Sequence, residues 1–211
     1  MPTPSLLRML LLAALLPIAC TTTTAPTTAA PAAGNTAITA RYDQAAIRKQ
    51  VDELGNTLGI SATQRAELRE KLDALLASAK FAAILARQGV QGVGVYRSGE
   101  GGLVVKIARG DGTIRFAGLA NDRTFEIKST SVGAQVGGSA SWGVVLATGL
   151  PAVESIDGTY TGEVASATAI EQSAGATRMI HKRDRHELYF VGVAAGLSAN
   201  AGESKLVFAL R

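Results

Sequence analysis

The two histidines of this chain stand five residues apart in Ile180-His181-Lys182-Arg183-Asp184-Arg185-His186-Glu187. With Asp184 and Glu187 they form a candidate ligand set, because imidazole nitrogens and carboxylate oxygens hold a divalent ion when they converge to about 2 Å. A charged hairpin tip without supporting hydrogen-bond partners does not hold ligands that way. The segment is therefore read as a solvated turn, and no metal is expected. A Ser-His-acid enzyme needs a histidine in a cleft beside a serine, whereas Lys182, Arg183 and Arg185 argue for exposure. No catalytic residue is assigned, and the chain is read as non-enzymatic. The same segment holds the densest basic cluster of the sequence, Arg178, Lys182, Arg183 and Arg185, flanked by Met179, Ile180, Tyr189 and Phe190. Cations beside apolar and aromatic side chains suit an anionic headgroup at a membrane surface, at roughly 1 kcal/mol per basic residue. These four are the candidate headgroup ligands; a solvated charge run is the alternative.

Other motifs carry less chemistry. Gly92-Val93-Gly94 begins like a dinucleotide fingerprint, but Arg97 stands where the third glycine belongs and a turn, not a helix, is expected to follow. Arg109-Gly110-Asp111 is read as part of a tight Asp-Gly turn. No phosphate loop, zinc finger or G-x-S-x-G elbow is present, so no cofactor is expected.

The first twenty residues set an address. Arg8 precedes an apolar run, Met9 to Leu16, too short to span a bilayer. The run ends at Leu16-Pro17-Ile18-Ala19-Cys20, which resembles the signal of a bacterial lipoprotein, with residues 1–19 removed and Cys20 lipidated. An ordinary leader cut later, for example after Ala30, is the alternative. Cys20 is the only cysteine, so no disulfide or thiol nucleophile is available. Thr21 after it, by the same resemblance, points to the outer membrane with the domain facing the periplasm. Removing the leader takes Arg8 and no acid, leaving 20 basic against 17 acidic residues, a net charge of +3. That is no footprint of a nucleic-acid binder.

The elements follow from periodicity. Residues 20–40, rich in Thr, Ala and Pro and without a charged side chain, read as a flexible tether. Residues 41–211 read as one domain, large enough for a sizeable core, with helices over 42–88 and a β meander over 90–211. Ile47, Val51, Leu54 and Leu58 make one helical stripe. Ser61 and Gln64 fit a capping box opening a second helix that runs through Leu68, Leu72, Leu75 and Leu76 toward Gly89. The stripe is expected to pack on the domain's own sheet. From Val90 the period becomes two, with strands at Val90–Arg97, Leu103–Arg109, Thr113–Leu119, near Val132 to Val136, at Val144–Ala147, Gly162–Glu171, Glu187–Ser198 and Lys205–Leu210. Gly110-Asp111-Gly112 is taken as a turn, and Pro151 as the first turn of a short helix ending at Ile156. The glycines from Gly133 to Gly143, with Gln135 among them, mark a closely packed, curved stretch of sheet. The fold class is α+β: an antiparallel Gly-rich β-barrel or sandwich with an N-terminal amphipathic helical pair packed on it.

Gly133-Ala134-Gln135-Val136-Gly137 followed by Val144-Val145-Leu146 resembles the SYLF lipid-binding domain. Ala165-Ser166-Ala167 and Leu188-Tyr189-Phe190-Val191-Gly192-Val193 are similar to later elements of that family. The segment from Val90 to Leu146 also resembles the EipA type of small periplasmic β-barrel protein. The first resemblance implies binding of lipid headgroups, the second a part in envelope integrity. Together they imply a membrane-anchored lipoprotein whose partners are anionic lipid or another envelope protein, with a structural or assembly role as the alternative function.

Overall fold

The structure, a computed structural model, describes residues 36–101, 105–132, 139–162, 176–192 and 204–211. The leader, Cys20, the tether up to residue 35, the Gly133–Gly137 motif with Gln135, Ala165–Ala167 and Val193 onward to residue 203 lie outside the described residues, as does all of the expected Gly162–Glu171 strand except Gly162. The end of the expected flexible tether, residues 36–40, is instead held on the domain: Ala37 bridges Ala152, the Ile38 N–H donates to Pro151 O at 3.2 Å, and the Ile38 side chain is buried in the core.

Three helices open the described part. In α1 (Gln44–Thr57) the Asp43 carboxylate accepts the Ala46 N–H at 2.7 Å, and Ile47, Val51 and Leu54 are buried. Helix α2 (Ala62–Ala77) begins with the expected capping box of Ser61 and Gln64. The second helix does not run unbroken to Gly89. Ser78 ends α2 by donating its hydroxyl to Leu75 O at 2.8 Å, and the same oxygen caps α3 (Ala79–Arg87) by accepting the Phe81 N–H at 3.2 Å. A serine that satisfies backbone groups on both sides makes this corner, which periodicity does not see.

Among the described residues eight strands follow: β1 (Val90–Gly101), β2 (Val105–Phe116), β3 (Arg123–Val132), β4 (Ser139–Thr148), β5 (Gly158–Gly162), β6 (Ala176–His181), β7 (Glu187–Gly192) and β8 (Ser204–Leu210). All pairs are antiparallel, and they close into a barrel in the order β1-β2-β3-β8-β5-β6-β7-β4. The barrel alternative is thus the right one, with the helices packed on it. Arg109-Gly110-Asp111-Gly112 is not a turn: it lies inside β2, where Gly112 pairs with Tyr96 on one side and Phe125 on the other. The short helix is a 3-10 turn over Val153–Ile156, and Pro151 lies before it. Strand β6 runs through a stretch expected to be loop, and ends at His181.

Alternation sorts the barrel into two cores. Val144 and Leu146 join Val93, Val95 and Val191 beneath the helical stripe of Ile47, Leu54, Leu68, Leu72 and Phe81. Val145 and Ala147 point with Phe116, Phe125, Met179, Phe190 and Phe208 into the other, which fills the barrel. Phe125 stacks on Phe208 at 4.6 Å, and Tyr96 meets Phe190 edge-on at 5.6 Å. This explains the continuous apolar run of β4: it is buried on both faces.

Glycine is required where these layers meet. A Cβ on Gly112 would lie 2.4 Å from Val95 O and 2.6 Å from the Phe125 ring; one on Gly143 would lie 2.4 Å from the Tyr96 ring. At Gly99 nothing lies within 4 Å. Gly112→Ala is therefore expected to lower stability by about 3 kcal/mol, since backbone cannot yield as a side chain can, while Gly99→Ala changes it by less than about 0.5 kcal/mol. Urea midpoints of the two variants against the parent test this.

Candidate functional site

Strands β6 and β7 form a hairpin whose tip is Lys182-Arg183-Asp184-Arg185, all four exposed. His181 N–H donates to His186 O at 2.9 Å, closing the last rung. Arg185 takes a left-handed φ of 63°, the turn position at which a glycine or asparagine is more usual. Lys182 N–H reaches across to Thr159 O at 3.0 Å, tying the tip to β5.

The histidines are not in the solvated turn. Each is 3% exposed, because each continues the inward-facing parity of its strand: His181 ends β6 and follows Met179 by two, and His186, immediately before β7, precedes Leu188 by two. Their rings stack at 4.4 Å and 15°. His181 Nε2 lies over Gly158, where a Cβ would come within 2.2 Å of it. Its Nδ1 accepts the Asp184 N–H at 3.1 Å and sits 3.4 Å from Asp184 Oδ2. Tyr160, fully buried, donates its hydroxyl to Ile156 O at 2.7 Å and lies 2.7 Å from His186 Nε2. With the hydroxyl proton committed to Ile156, Nε2 of His186 is the donor of that second bond. Its Nδ1 is then a bare lone pair, and it has no partner among the described residues. Burial, and secondarily the neighbouring His181, lower the His186 pKa to about 4, so the ring is neutral near pH 7. Burial raises the Tyr160 phenol.

The four candidate headgroup residues do not stay together. Lys182, Arg183 and Arg185 are exposed on the tip, with Arg183 Nε 3.3 Å from Asp184 Oδ1. Arg178 is half-buried in β6, its guanidinium paired with Glu187, whose other oxygen accepts the Tyr189 hydroxyl at 2.5 Å. Burial disfavours the Glu187 carboxylate, but the hydrogen bonds from Arg178 and Tyr189 and the Arg178 charge outweigh it, so its pKa is lowered. Arg178 is thus held by a buried acid, and its sequence neighbourhood with the tip cations does not put it on their surface.

A second basic region comes from register. Across β2, β3 and β8, Arg109 faces Lys128 and Lys128 faces Val207; one row along, Ile107 faces Thr130 and Thr130 faces Lys205. All six are exposed, Ile107 by 50% and Val207 by 40%. Val207 in turn pairs with Thr159, the residue whose carbonyl accepts Lys182 N–H. One line of side chains therefore runs Arg109, Lys128, Val207, Thr159, Lys182, in four strand spacings of about 4.8 Å each. Among the described residues none of Arg109, Lys128 and Lys205 forms a salt bridge. The parity of Ile107-x-Arg109, Lys128-x-Thr130 and Lys205-x-Val207 is visible in the sequence. That β8 sits between β3 and β5 is not.

No protein-family model and no curated protein matches the chain. Among solved structures, it is similar to a beta-barrel-like, uncharacterized protein from Brucella abortus, at 24% identity and a TM-score of 0.47, covering 79% of this chain and 93% of that one. Among the described residues no helix is long and apolar enough to cross a membrane.

Two substitutions test the geometry. Tyr160→Phe leaves the His186 N–H and the Ile156 carbonyl unpaired in a buried place, and is expected to cost about 1–3 kcal/mol in urea unfolding. Arg178→Met strands the Glu187 carboxylate, with an expected loss of about 3 kcal/mol. Adding Glu187→Gln to Arg178→Met should recover part of that loss, and no recovery would mean that the ion pair is not what Arg178 contributes.

Proposed function

We propose that this chain is a non-enzymatic lipoprotein, anchored through Cys20 to the outer membrane and facing the periplasm, whose SYLF-like barrel binds anionic lipid headgroups. The observation that carries the reading is the outward-facing line from Arg109 through Lys128, Val207 and half-buried Thr159 to Lys182, with Ile107, Lys205, Arg183 and Arg185 beside it. Arg109 and Lys128 stand directly opposite each other, which destabilises a sheet pair unless an anion neutralises them. Two exposed aliphatic side chains among the cations suit a surface that is charged at the headgroups and apolar just beneath. At roughly 1 kcal/mol per basic residue the face adds orientation and headgroup preference, in a salt-sensitive way. An acyl anchor, at about 0.8 kcal/mol per buried CH₂, would supply attachment without it.

The test removes the anchor. With Cys20→Ser, the chain is expected to bind vesicles containing phosphatidylglycerol at low salt, and much less at high salt. Lys128→Glu with Lys205→Glu should weaken binding at least about ten-fold, whereas Lys49→Glu, on the helical side, should leave it unchanged. Equal binding to pure phosphatidylcholine vesicles, or binding indifferent to both salt and the double reversal, would overturn the reading.

A further inference from the structure

We propose that His181, Asp184 and His186 form a binding site for one borderline divalent metal ion, with Zn²⁺ as its representative. One ligand atom from each of the three lies within 4.8 Å of those of the other two. In a tetrahedral site with metal–ligand bonds of 2.0–2.1 Å, ligand atoms stand about 3.4 Å apart. His181 Nδ1 and Asp184 Oδ2 already have that separation, 3.4 Å. The electron count at this contact is informative. His181 Nδ1 accepts the Asp184 N–H, so it carries a lone pair and no proton, yet it faces a carboxylate oxygen that also only accepts. Two acceptors side by side call for a cation between them.

His186 supplies the independent observation. It is 3% exposed, and its Nδ1 has no hydrogen-bond partner among the described residues. Buried polar atoms are nearly always paired, so a bare imidazole nitrogen beside a second imidazole and a carboxylate needs an explanation. The far side of the ring is organised as metal-bound histidines are. Nε2–H donates to Tyr160 Oη, and that hydroxyl donates to Ile156 O, which fixes the tautomer and leaves Nδ1 free to ligate. Gly158 gives the His181 ring its place, since any side chain there would collide with Nε2.

Two imidazoles and one carboxylate suit Zn²⁺ or a neighbouring transition ion better than Ca²⁺ or Mg²⁺, which prefer oxygen ligands. Three protein ligands leave a fourth position for water. Binding would move the Asp184 N–H from His181 to solvent, a small change on an exposed tip, and draw the three ligand atoms together by up to about 1.4 Å. The tip cations oppose a divalent ion, but their exposed charges are screened by solvent and salt, whereas Asp184 bears directly on the site. This inference does not rest on headgroup binding, and the two can fail separately.

The experiment uses the full chain with Cys20→Ser, so that no thiol competes. Zn²⁺ is titrated in competition with a chromophoric chelator, and Co²⁺ is then used as a spectroscopic substitute. One equivalent of Zn²⁺ is expected per chain, and the Co²⁺ form should show the intense visible bands of a four-coordinate site. Asp184→Asn, on the exposed tip, preserves the loop and is expected to weaken Zn²⁺ binding at least about ten-fold. His186→Gln should abolish the Co²⁺ bands. Absence of one-equivalent binding to the folded parent chain overturns the proposal. So does binding that Asp184→Asn leaves unchanged. That variant removes no buried group, so its result decides the matter whether or not His186→Gln folds.

Discussion

Strand β4 is buried on both faces, and most other features of the molecule follow from that. Val144 and Leu146 meet the helices, Val145 and Ala147 meet the barrel interior, and the backbone between them is hydrogen-bonded to β1 and β7. A polar side chain in that position needs a hydrogen-bond partner of its own, as Thr148 at the end of the strand has in Glu187 O at 3.5 Å. It also fixes where the helices sit, because their stripe has to cover the outward residues of β1, β4 and β7. The opposite arc of the barrel, β2, β3, β8 and β5, is then the part whose outer residues are free to be polar, and it is there that Arg109, Lys128 and Lys205 stand. Packing on one side and charge on the other are consequences of a single arrangement.

How much of this was legible follows from what each feature depends on. Helices α1 and α2 were legible because stripe and caps are local: Ile47, Val51 and Leu54 repeat at helical spacing, and Ser61 and Gln64 satisfy each other. An antiparallel barrel or sandwich with helices on it was legible from Gly-rich strands without βαβ alternation, but the closure that makes it a barrel was not, because it depends on pairings between strands distant in sequence. The break at Ser78 was not, because it is made by one hydroxyl serving two backbone groups. The Gly110-Asp111-Gly112 segment misleads because its turn chemistry is outvoted by packing: Gly112 is glycine so that Val95 O and the Phe125 ring can approach, not so that the chain can reverse. The histidine pair was hidden by its neighbours. Four exposed residues between His181 and His186 give the segment a solvated composition, while the inward parity of Met179–His181 and His186–Leu188 carries the opposite message. Arg178 shows the converse error, since proximity in sequence to three exposed cations says nothing about Glu187 waiting across the hairpin.

The hairpin tip therefore joins two environments within a few residues. Outside, Lys182, Arg183 and Arg185 are hydrated. One residue inward, two imidazoles and a phenol are buried: His186 and Tyr160 are joined by hydrogen bonds that end on the Ile156 carbonyl, and His181 stacks on His186. Asp184 belongs to both, touching Arg183 with one oxygen and His181 with the other. A change at Asp184 is thus felt at the buried pair even though its side chain lies at the surface, and the coupling runs through contacts of 3.1 and 3.4 Å rather than through the fold at large.

Charge pairing separates the two sides of the molecule most clearly. On the helical side, Arg48 pairs with Asp73, Arg69 with Asp52, Lys71 with Glu67, and Arg115 with both Glu53 and Asp122. The edge of the β2–β3–β8 face is neutralised in the same way, Arg97 by Asp111 and Arg211 by Glu126. Farther along the same strands Arg109, Lys128 and Lys205 have no ion pair among the described residues, and Arg109 faces Lys128 with aliphatic Ile107 and Val207 exposed alongside. Exposed pairs contribute little stability each, so folding alone does not require acids at Asp111 and Glu126 or forbid them at Thr130 and Val207. The difference lies in the field the surface presents: neutral where the cations are paired, and positive along one line that ends at the hairpin tip. An anionic surface would meet that line first, and the two exposed aliphatic side chains would be the next atoms it touched.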